Sequence, residues 1–132
     1  MKREIKFRGQ NSTNKQWIYG AFAEDCTGNY IILPKDSWAK GGVVEKDSVG
    51  QMSEYKDING LEIYENDIVK APYLDPIFGD VIENTFVNAV ISFRDGSFVV
   101  DYGKDDRKVY LSDLYDKLKV IGNTFSNPNL IK

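Results

Sequence analysis

Residues 86–102 read FVNAVISFRDGSFVVDY, two apolar-rich runs joined by the dipeptide Asp95-Gly96. Asp-Gly favours a two-residue turn because both positions accept the positive φ angles that a tight β-hairpin requires. Such a turn sets the register of the flanking strands and places apolar residues opposite each other on one face. The predicted facing pairs are Phe93 with Phe98, Ile91 with Val100, and Ala89 with Tyr102.

Strand patterns recur on both sides of this hairpin, and turn residues separate them. Proline and glycine mark further boundaries: Pro34 ends one run, and two prolines predict a loop over 72–79. Asn59-Gly60 predicts another tight turn, and Gly122 a turn after the last strand. The predicted strands are 2–8, 17–22, 30–33, 66–71, 86–93 and 98–102, with a final strand and turn over 119–123. Short strands are expected on either side of the turn within 55–64, and an edge strand at Val43-Val44.

One short helix is expected over 111–118, where Leu111, Leu114, Tyr115 and Leu118 recur at helical spacing. The sequence therefore predicts a mainly β protein with a short helix, folded as a small β-barrel or roll. The C-terminal half resembles the course of an SH3-like barrel. We expect one domain over 1–132, with two β sub-units at about 1–50 and 51–132.

The 132 residues include no histidine and a single cysteine, Cys26. This composition excludes the Ser-His-Asp triad, the Cys-His dyad and zinc sites built on imidazole. A lone cysteine cannot form an internal disulfide, and the sequence contains neither a signal peptide nor a long apolar run. We expect a cytoplasmic protein that is not bound to a membrane. The net charge of −3 argues mildly against a general duplex-binding role.

Four carboxylates lie close together in sequence: Asp57, Glu62, Glu65 and Asp67. Paired carboxylates can serve as acid and base in hydrolysis, and Asp-x-Asn-Gly at 57–60 is a fragment of a calcium-loop pattern. The simpler interpretation is a tight turn beside a hydrated surface. Because Cys26 has no histidine partner, an inert small residue is its simpler interpretation as well. We expect no catalytic residue, no metal ligand and no cofactor.

The candidate binding residues are Trp38, Arg3, Lys6 and Arg8. Trp38 lies among polar and glycine residues where no core periodicity requires it, and the three cations cluster near the N-terminus. Together with exposed aromatics they could form a stacking surface for single-stranded nucleic acid. The alternative is that the aromatics fill the core and the strand face is hydrated. The other aromatic candidates are Trp17, Tyr19, Tyr30 and Tyr64.

Three segments carry a family resemblance from end to end of the chain: REIKFR at 3–8, VGQ at 49–51 with KDINGLEIYENDIV at 56–69, and VIGNTFSNPNLI at 120–131. Their order and spacing resemble the YopX family, small proteins encoded by phages and prophages of Gram-positive bacteria. The chain departs from the family pattern at Ser53-Glu54-Tyr55, where a Thr-Gly-Leu-like step is usual, and at Asn129, where the family has an acidic residue. The resemblance implies a mostly β fold and a phage origin, and it brings no established activity.

These observations predict a non-enzymatic accessory module that binds a host or phage protein, or a second copy of itself, through exposed edges and loops. The main alternative is a nucleic-acid-binding regulator that uses the aromatics and the N-terminal basic strand. A carboxylate-dependent hydrolase is the third hypothesis, and it requires two or more of the four acidic residues to converge in a pocket.

Overall fold

The computed structural model describes residues 5–75, 77–103 and 107–131, without the side chain of Trp38. The chain divides into two compact units, Met1–Met52 and Ser53–Lys132. The strands are antiparallel in both units, so the prediction of a mainly β protein is confirmed. No helix in the described part of the chain has the length and apolar character needed to cross a membrane.

The first unit is a sheet with the strand order β4-β3-β2-β1-β5, in which β1 to β4 lie beside their sequence neighbours and β5 pairs with β1. Its apolar centre is formed by Ile18, Ile32 and Val44, against which Phe7 and Phe22 pack. Antiparallel meanders of this kind need only short turns, such as the one after Glu24. The strands are β1 (Phe7–Gln10), β2 (Trp17–Glu24), β3 (Tyr30–Leu33), β4 (Gly42–Val44) and the first residues of β5 (Gly50–Lys56).

The second unit contains a five-stranded sheet in the order β10-β9-β8-β7-β11, and β6 lies beside the last residues of β5. Its core includes Ile63, Val69, Ile91, Val100 and Leu118, which are all fully buried. The strands are β6 (Glu62–Tyr64), β7 (Asp67–Leu74), β8 (Val81–Arg94), β9 (Ser97–Asp101), β10 (Lys108–Tyr110) and β11 (Lys119–Asn123).

The hairpin of β8 and β9 has the register that its turn residues predict. Arg94 pairs with Ser97, Ile91 faces Val100, and Phe93 faces Phe98. Asp95 and Gly96 have φ angles of 53° and 83°, as the turn chemistry requires. The Phe93 and Phe98 rings meet edge to face with centroids 5.0 Å apart. The predicted turn at 57–60 also forms, with Gly60 at φ 79°.

The predicted helix over 111–118 is wrong in its type. The segment forms two 3-10 turns, Leu111–Asp113 and Tyr115–Lys117, separated by Leu114 at φ −134°. Two turns of α-helix form too few hydrogen bonds to offset the cost of nucleation, so packing decides the local conformation. The spacing of the apolar residues does identify buried positions, because Leu111, Leu114 and Leu118 are all buried. Other 3-10 turns span Trp38–Lys40, Lys46–Ser48 and Pro128–Ile131.

Three further predictions need correction. Within residues 5–75, 77–103 and 107–131 the strands do not form a closed barrel, so of the predicted barrel or roll the barrel is not found, and the SH3-like course stays a prediction. Pro72 lies inside β7 rather than in a loop. Gly122 lies within β11, at a shift of register, rather than in a turn. A Cβ atom at Gly122 would come within 2.6 Å of Asn127 Oδ1, so close approach is what this glycine permits.

Candidate functional site

Among the described residues of the second unit, the most exposed apolar side chains lie on the ribbon formed by the end of β7, the beginning of β8 and the turn between them. Pairing runs from Ile68 with Val90 to Leu74 with Val81, and the register shifts between Pro72 and Tyr73. Pro72 faces Phe86 whereas Tyr73 faces Ile82, so residues 83–85 bulge out of the ladder. Because Pro72 has no N–H to donate, one hydrogen bond between β7 and β8 is already missing at this position. The bulge therefore interrupts the ladder where the loss is smallest.

The turn at the end of the ribbon is built around Asp75. Its Oδ1 accepts hydrogen bonds from the backbone amides of Ile77 at 2.7 Å and Phe78 at 3.1 Å. The Asp75 amide donates to Asp80 O at 2.8 Å and closes the turn. These bonds, first from Ile77 and then from Phe78, hold the pKa of the Asp75 carboxyl below its usual range, and Arg107 adds to the effect. The carboxylate is therefore ionised at neutral pH.

This turn and the adjoining part of β8 present five large apolar side chains to solvent, which we call the ribbon tip: Ile77, Phe78, Val81, Ile82 and Phe86. Ile77 is 81% exposed and Phe78 is 78% exposed. Single exposed apolar side chains are common on proteins, but several within ten residues form a patch of the kind that marks interaction sites. The ribbon tip is therefore the strongest candidate for a binding surface.

Side chains from elsewhere in the unit hold the base of the ribbon. Tyr102 Oη donates a hydrogen bond to Pro72 O at 2.9 Å, and Arg107 Nη1 donates to Leu74 O at 3.0 Å. Lys70 Nζ lies 5.0 Å from the centre of the Phe86 ring. A shallow cavity of about 220 Å³ beside the bulge extends to Lys117. The ribbon tip thus projects from a base that is fixed by several independent contacts.

Burial raises the pKa of Tyr102 to about 12, although Arg107 lowers it in part. In a titration followed by ultraviolet absorbance, one of the eight tyrosines should therefore ionise after the ordinary range near pH 10. Because the folded state holds this proton more tightly than the unfolded state, the contribution to stability is complete below about pH 10. This contribution to stability should decline as the pH rises towards 12.

Tyr102→Phe should remove the late ionisation step from the absorbance titration, and Tyr110→Phe should leave it. An unchanged late step in Tyr102→Phe would contradict the assignment.

The candidate basic strand is only partly described, and its central member is not exposed. Arg8 is 9% exposed, and its guanidinium lies 5.1 Å from the centre of the Trp17 ring. Lys6 is half-buried, and its carbonyl accepts a bond from the Met52 amide at 2.8 Å. Arg3 and the side chain of Trp38 lie outside the described part of the structure. The described residues thus place Arg8 in the sheet rather than on an open basic face.

The candidate aromatics also have structural contacts. Tyr64 is buried, and Tyr30 packs edge to face on Phe22 with ring centroids 5.0 Å apart. Tyr30 further lies 5.3 Å from Lys46 Nζ. Tyr19 remains 46% exposed. The interpretation of these aromatics as packing residues therefore fits Tyr64 and Tyr30 better than a stacking surface does.

Two of the four candidate carboxylates are buried and accept hydrogen bonds from the backbone. Asp57 Oδ1 accepts from Asn59 N and Leu61 N at 2.8 and 2.9 Å, while its Oδ2 accepts from Val120 N at 2.9 Å. Asp67 Oδ2 accepts from Tyr64 N at 2.7 Å. These geometries are those of turn-stabilising carboxylates. Within the described residues no group of three acidic or cysteine side chains is arranged to hold a metal ion.

The remaining nucleophile candidate, Cys26, is exposed on the turn between β2 and β3. Asp25 organises this turn, since its Oδ1 accepts hydrogen bonds from Thr27 N and Asn29 N, both at 2.9 Å. The Thr27 hydroxyl also donates to Asp25 Oδ1, at 2.7 Å. This hydroxyl bond, followed by the backbone bonds, holds the pKa of the Asp25 carboxyl below its usual range. The surroundings described for Cys26 are those of an ordinary surface turn.

Sequence reasoning missed the ribbon tip because it assigned 72–79 to a loop and began the next strand at Phe86. A signal was available in the sequence. Ile77-Phe78 stands between two acidic residues in a segment where no strand or helix periodicity explains the apolar pair. Apolar residues without a periodic pattern have no predicted core position, and this can indicate a contact surface.

The fold is shared with two solved structures. Protein EF1440 from Enterococcus faecalis matches with a TM-score of 0.59 and 21% identity over 98% of this chain and 99% of that one. Protein yopX from Bacillus subtilis matches with a TM-score of 0.55 and 22% identity over 96% and 98% of the two chains. No curated protein matches the sequence.

The family model described as YopX protein matches residues 6–132. The match covers both units and includes the middle and closing segments on which the sequence resemblance depends. At the identities found for the solved structures, the structural likeness extends to the fold alone. With a family model matched over nearly its whole length, this chain belongs to the YopX protein family.

Proposed function

We propose that this protein is a non-enzymatic binding module and that the ribbon tip is its contact surface for another protein. The observation that carries the proposal is the exposure of Ile77 and Phe78, at 81% and 78%, on a turn held in shape by Asp75. Burying such side chains against a partner gives about 1.5–3 kcal/mol each. Phenylalanine is among the residues enriched in the buried cores of protein interfaces.

The organisation of the ribbon supports a preformed surface. Asp75 fixes the turn, while Tyr102 and Arg107 fix the base, so little conformational entropy has to be lost when a partner binds. The proposal includes a cytoplasmic setting, inferred from the single cysteine, and a phage or prophage origin, inferred from the family resemblance. Neither bears on the geometry of the ribbon tip.

The nucleic-acid alternative has less support from the described residues. It depends on an exposed basic strand, but Arg8 packs under Trp17 and is almost fully buried. The outer part of the ribbon adds no cation that could contact phosphate, because its charged residues are Asp75, Asp80 and Glu83. We therefore favour a protein partner, which includes a second copy of the chain.

The double variant Ile77→Ser/Phe78→Ser should remove the interaction and preserve the fold, since both side chains are exposed. The measurement combines sedimentation of the purified protein with quantitative affinity capture from the host lysate. The matched control is Ile58→Ser/Leu61→Ser, which changes two exposed apolar residues in the same unit. We expect the control to retain the wild-type partner, or the wild-type assembly state, and the ribbon-tip variant to lose it. Identical behaviour of all three proteins would reject the ribbon tip as the contact surface.

A further inference from the structure

The outer part of the ribbon, from Asp75 to Glu83, combines its apolar surface with acidic residues. Between Lys70 and Arg94 the sequence contains no lysine or arginine, but it contains Asp75, Asp80 and Glu83. Asp80 and Glu83 are exposed, and Asp75 is ionised at neutral pH because backbone amides stabilise its carboxylate. Cations lie towards the base, where Lys70 stacks over Phe86, Lys117 lines the cavity beside the bulge and Arg107 contacts Leu74 O.

The acidic residues flank the apolar anchors closely. Asp75 precedes Ile77 by two residues and Asp80 follows Phe78 by two, so both ends of the exposed pair are bordered by a carboxylate. Glu83 lies in the bulge beside Ile82, on the same part of β8. This is the usual arrangement of an interface patch, with apolar anchors at the centre and charged groups at the rim.

We propose that the ribbon tip binds a protein surface that offers an apolar pocket bordered by lysine or arginine side chains. This inference rests on the proposed function and adds the chemistry of the partner. Ile77 and Phe78 enter the pocket, while the exposed side chains of Asp80 and Glu83 face the basic border. Charges at a rim mainly accelerate association and select partners, so the interaction should weaken as salt is raised.

The same charges argue against two other classes of partner. Exposed isoleucine and phenylalanine side chains on a turn can enter a lipid bilayer, but the cytoplasmic face of bacterial and other membranes carries anionic lipids that repel three carboxylates. Nucleic acid is disfavoured for the same reason, because binding requires neutralisation of phosphate by cations. A basic and apolar protein surface satisfies both properties of the ribbon at once.

The test uses two synthetic amphipathic helical peptides of equal length, one built from leucine and lysine and one from leucine and glutamate. The full-length protein, labelled for backbone amide NMR, is titrated with each peptide and with anionic lipid vesicles. We expect the leucine–lysine peptide to bind about tenfold or more tightly than the leucine–glutamate peptide. The shifted amide signals should cluster within 77–86, and added salt should weaken binding.

Charge reversal separates the two proposals. Asp80→Lys/Glu83→Lys should reverse the peptide preference, whereas Asp113→Lys/Asp116→Lys, at exposed positions outside the ribbon, should leave it unchanged. If Ile77→Ser/Phe78→Ser abolishes peptide binding but charge reversal has no effect, the ribbon tip is the contact surface and the basic partner is wrong. If the tip variant binds like the wild type, both proposals fail. Vesicle binding that depends on Ile77 and Phe78 and exceeds peptide binding would overturn the assignment of a protein partner.

Discussion

Replacement of Ile91 by alanine should lower the free energy of unfolding by about 4 kcal/mol. Ile91 is fully buried at the centre of the second unit's core, opposite Val100 on β9. Its backbone carbonyl also accepts a hydrogen bond from Asn66 N at 2.8 Å, so the strand is held in place and cannot collapse into the space left by the side chain. The expected loss of stability therefore includes the transfer free energy of the three removed carbon atoms and the cost of the cavity that remains.

The measurement is equilibrium urea unfolding followed by circular dichroism and by the amide NMR signals of the second unit. Ile82→Ala is a matched control, because it removes the same atoms from the same strand at a side chain that is 37% exposed. We expect the control to cost less than about 1 kcal/mol. Equal losses for the two variants would show that Ile91 is not the centre of the core.

The second large effect should come from Asp57→Ala, which we expect to lower the free energy of unfolding by about 3 kcal/mol. The Asp57 carboxylate is buried and accepts three backbone hydrogen bonds, two within its own turn and one from Val120 on β11. Alanine leaves these amides without their acceptor. Because Val120 is 63 residues away in the chain, the substitution also removes a long-range hydrogen bond between the turn and β11.

Asp57→Asn distinguishes the local bonds from the long-range one. An asparagine oxygen can still accept from Asn59 N and Leu61 N, but its amide nitrogen cannot accept from Val120 N. We therefore expect an intermediate loss for this variant, and almost none for Asp116→Ala, whose side chain is 64% exposed. If Asp57→Asn matched the wild type in urea unfolding, the bond to β11 would contribute nothing to stability.

The elements that the sequence predicted best are those governed by contacts between near neighbours. The β8–β9 hairpin follows from Asp95-Gly96 and from the alternation on either side, and the observed register is the predicted one. The boundaries of β3 are also as predicted, because Pro34 cannot continue the ladder. In these segments the turn chemistry and the local pattern agree, so little depends on the rest of the chain.

The sequence was less informative where a distant partner decides the conformation. Gly122 permits the close approach of Asn127, and nothing in the local pattern distinguishes this from a turn glycine. Leucines at helical spacing over 111–118 are equally compatible with two 3-10 turns, since burial of the same side chains satisfies both. Pro72 is accommodated in β7 because the facing strand bulges, which depends on residues 83–85.

The candidate site shows the same division. The composition excluded histidine chemistry, and the turn interpretation of 57–60 was correct. The binding candidates at the N-terminus were chosen by charge alone, and charge does not reveal that Arg8 would be covered by Trp17. The ribbon tip was missed because exposure is a property of the folded chain. Isoleucine and phenylalanine are usually buried in a protein core, so their presence in the sequence does not predict exposure.

The amino-acid sequence by itself determined the mainly β class, the two tight turns, the register of one hairpin and the absence of histidine chemistry. These depend on the φ preferences of a few residues, on the two-residue period of a strand and on composition. Only the tertiary structure decided that β7 continues through Pro72, that Asp57 holds β11, and that Ile77 and Phe78 are left in solvent. The physical reason is that burial and long-range hydrogen bonding depend on which distant segments come together, and one strand's pattern does not specify its partner.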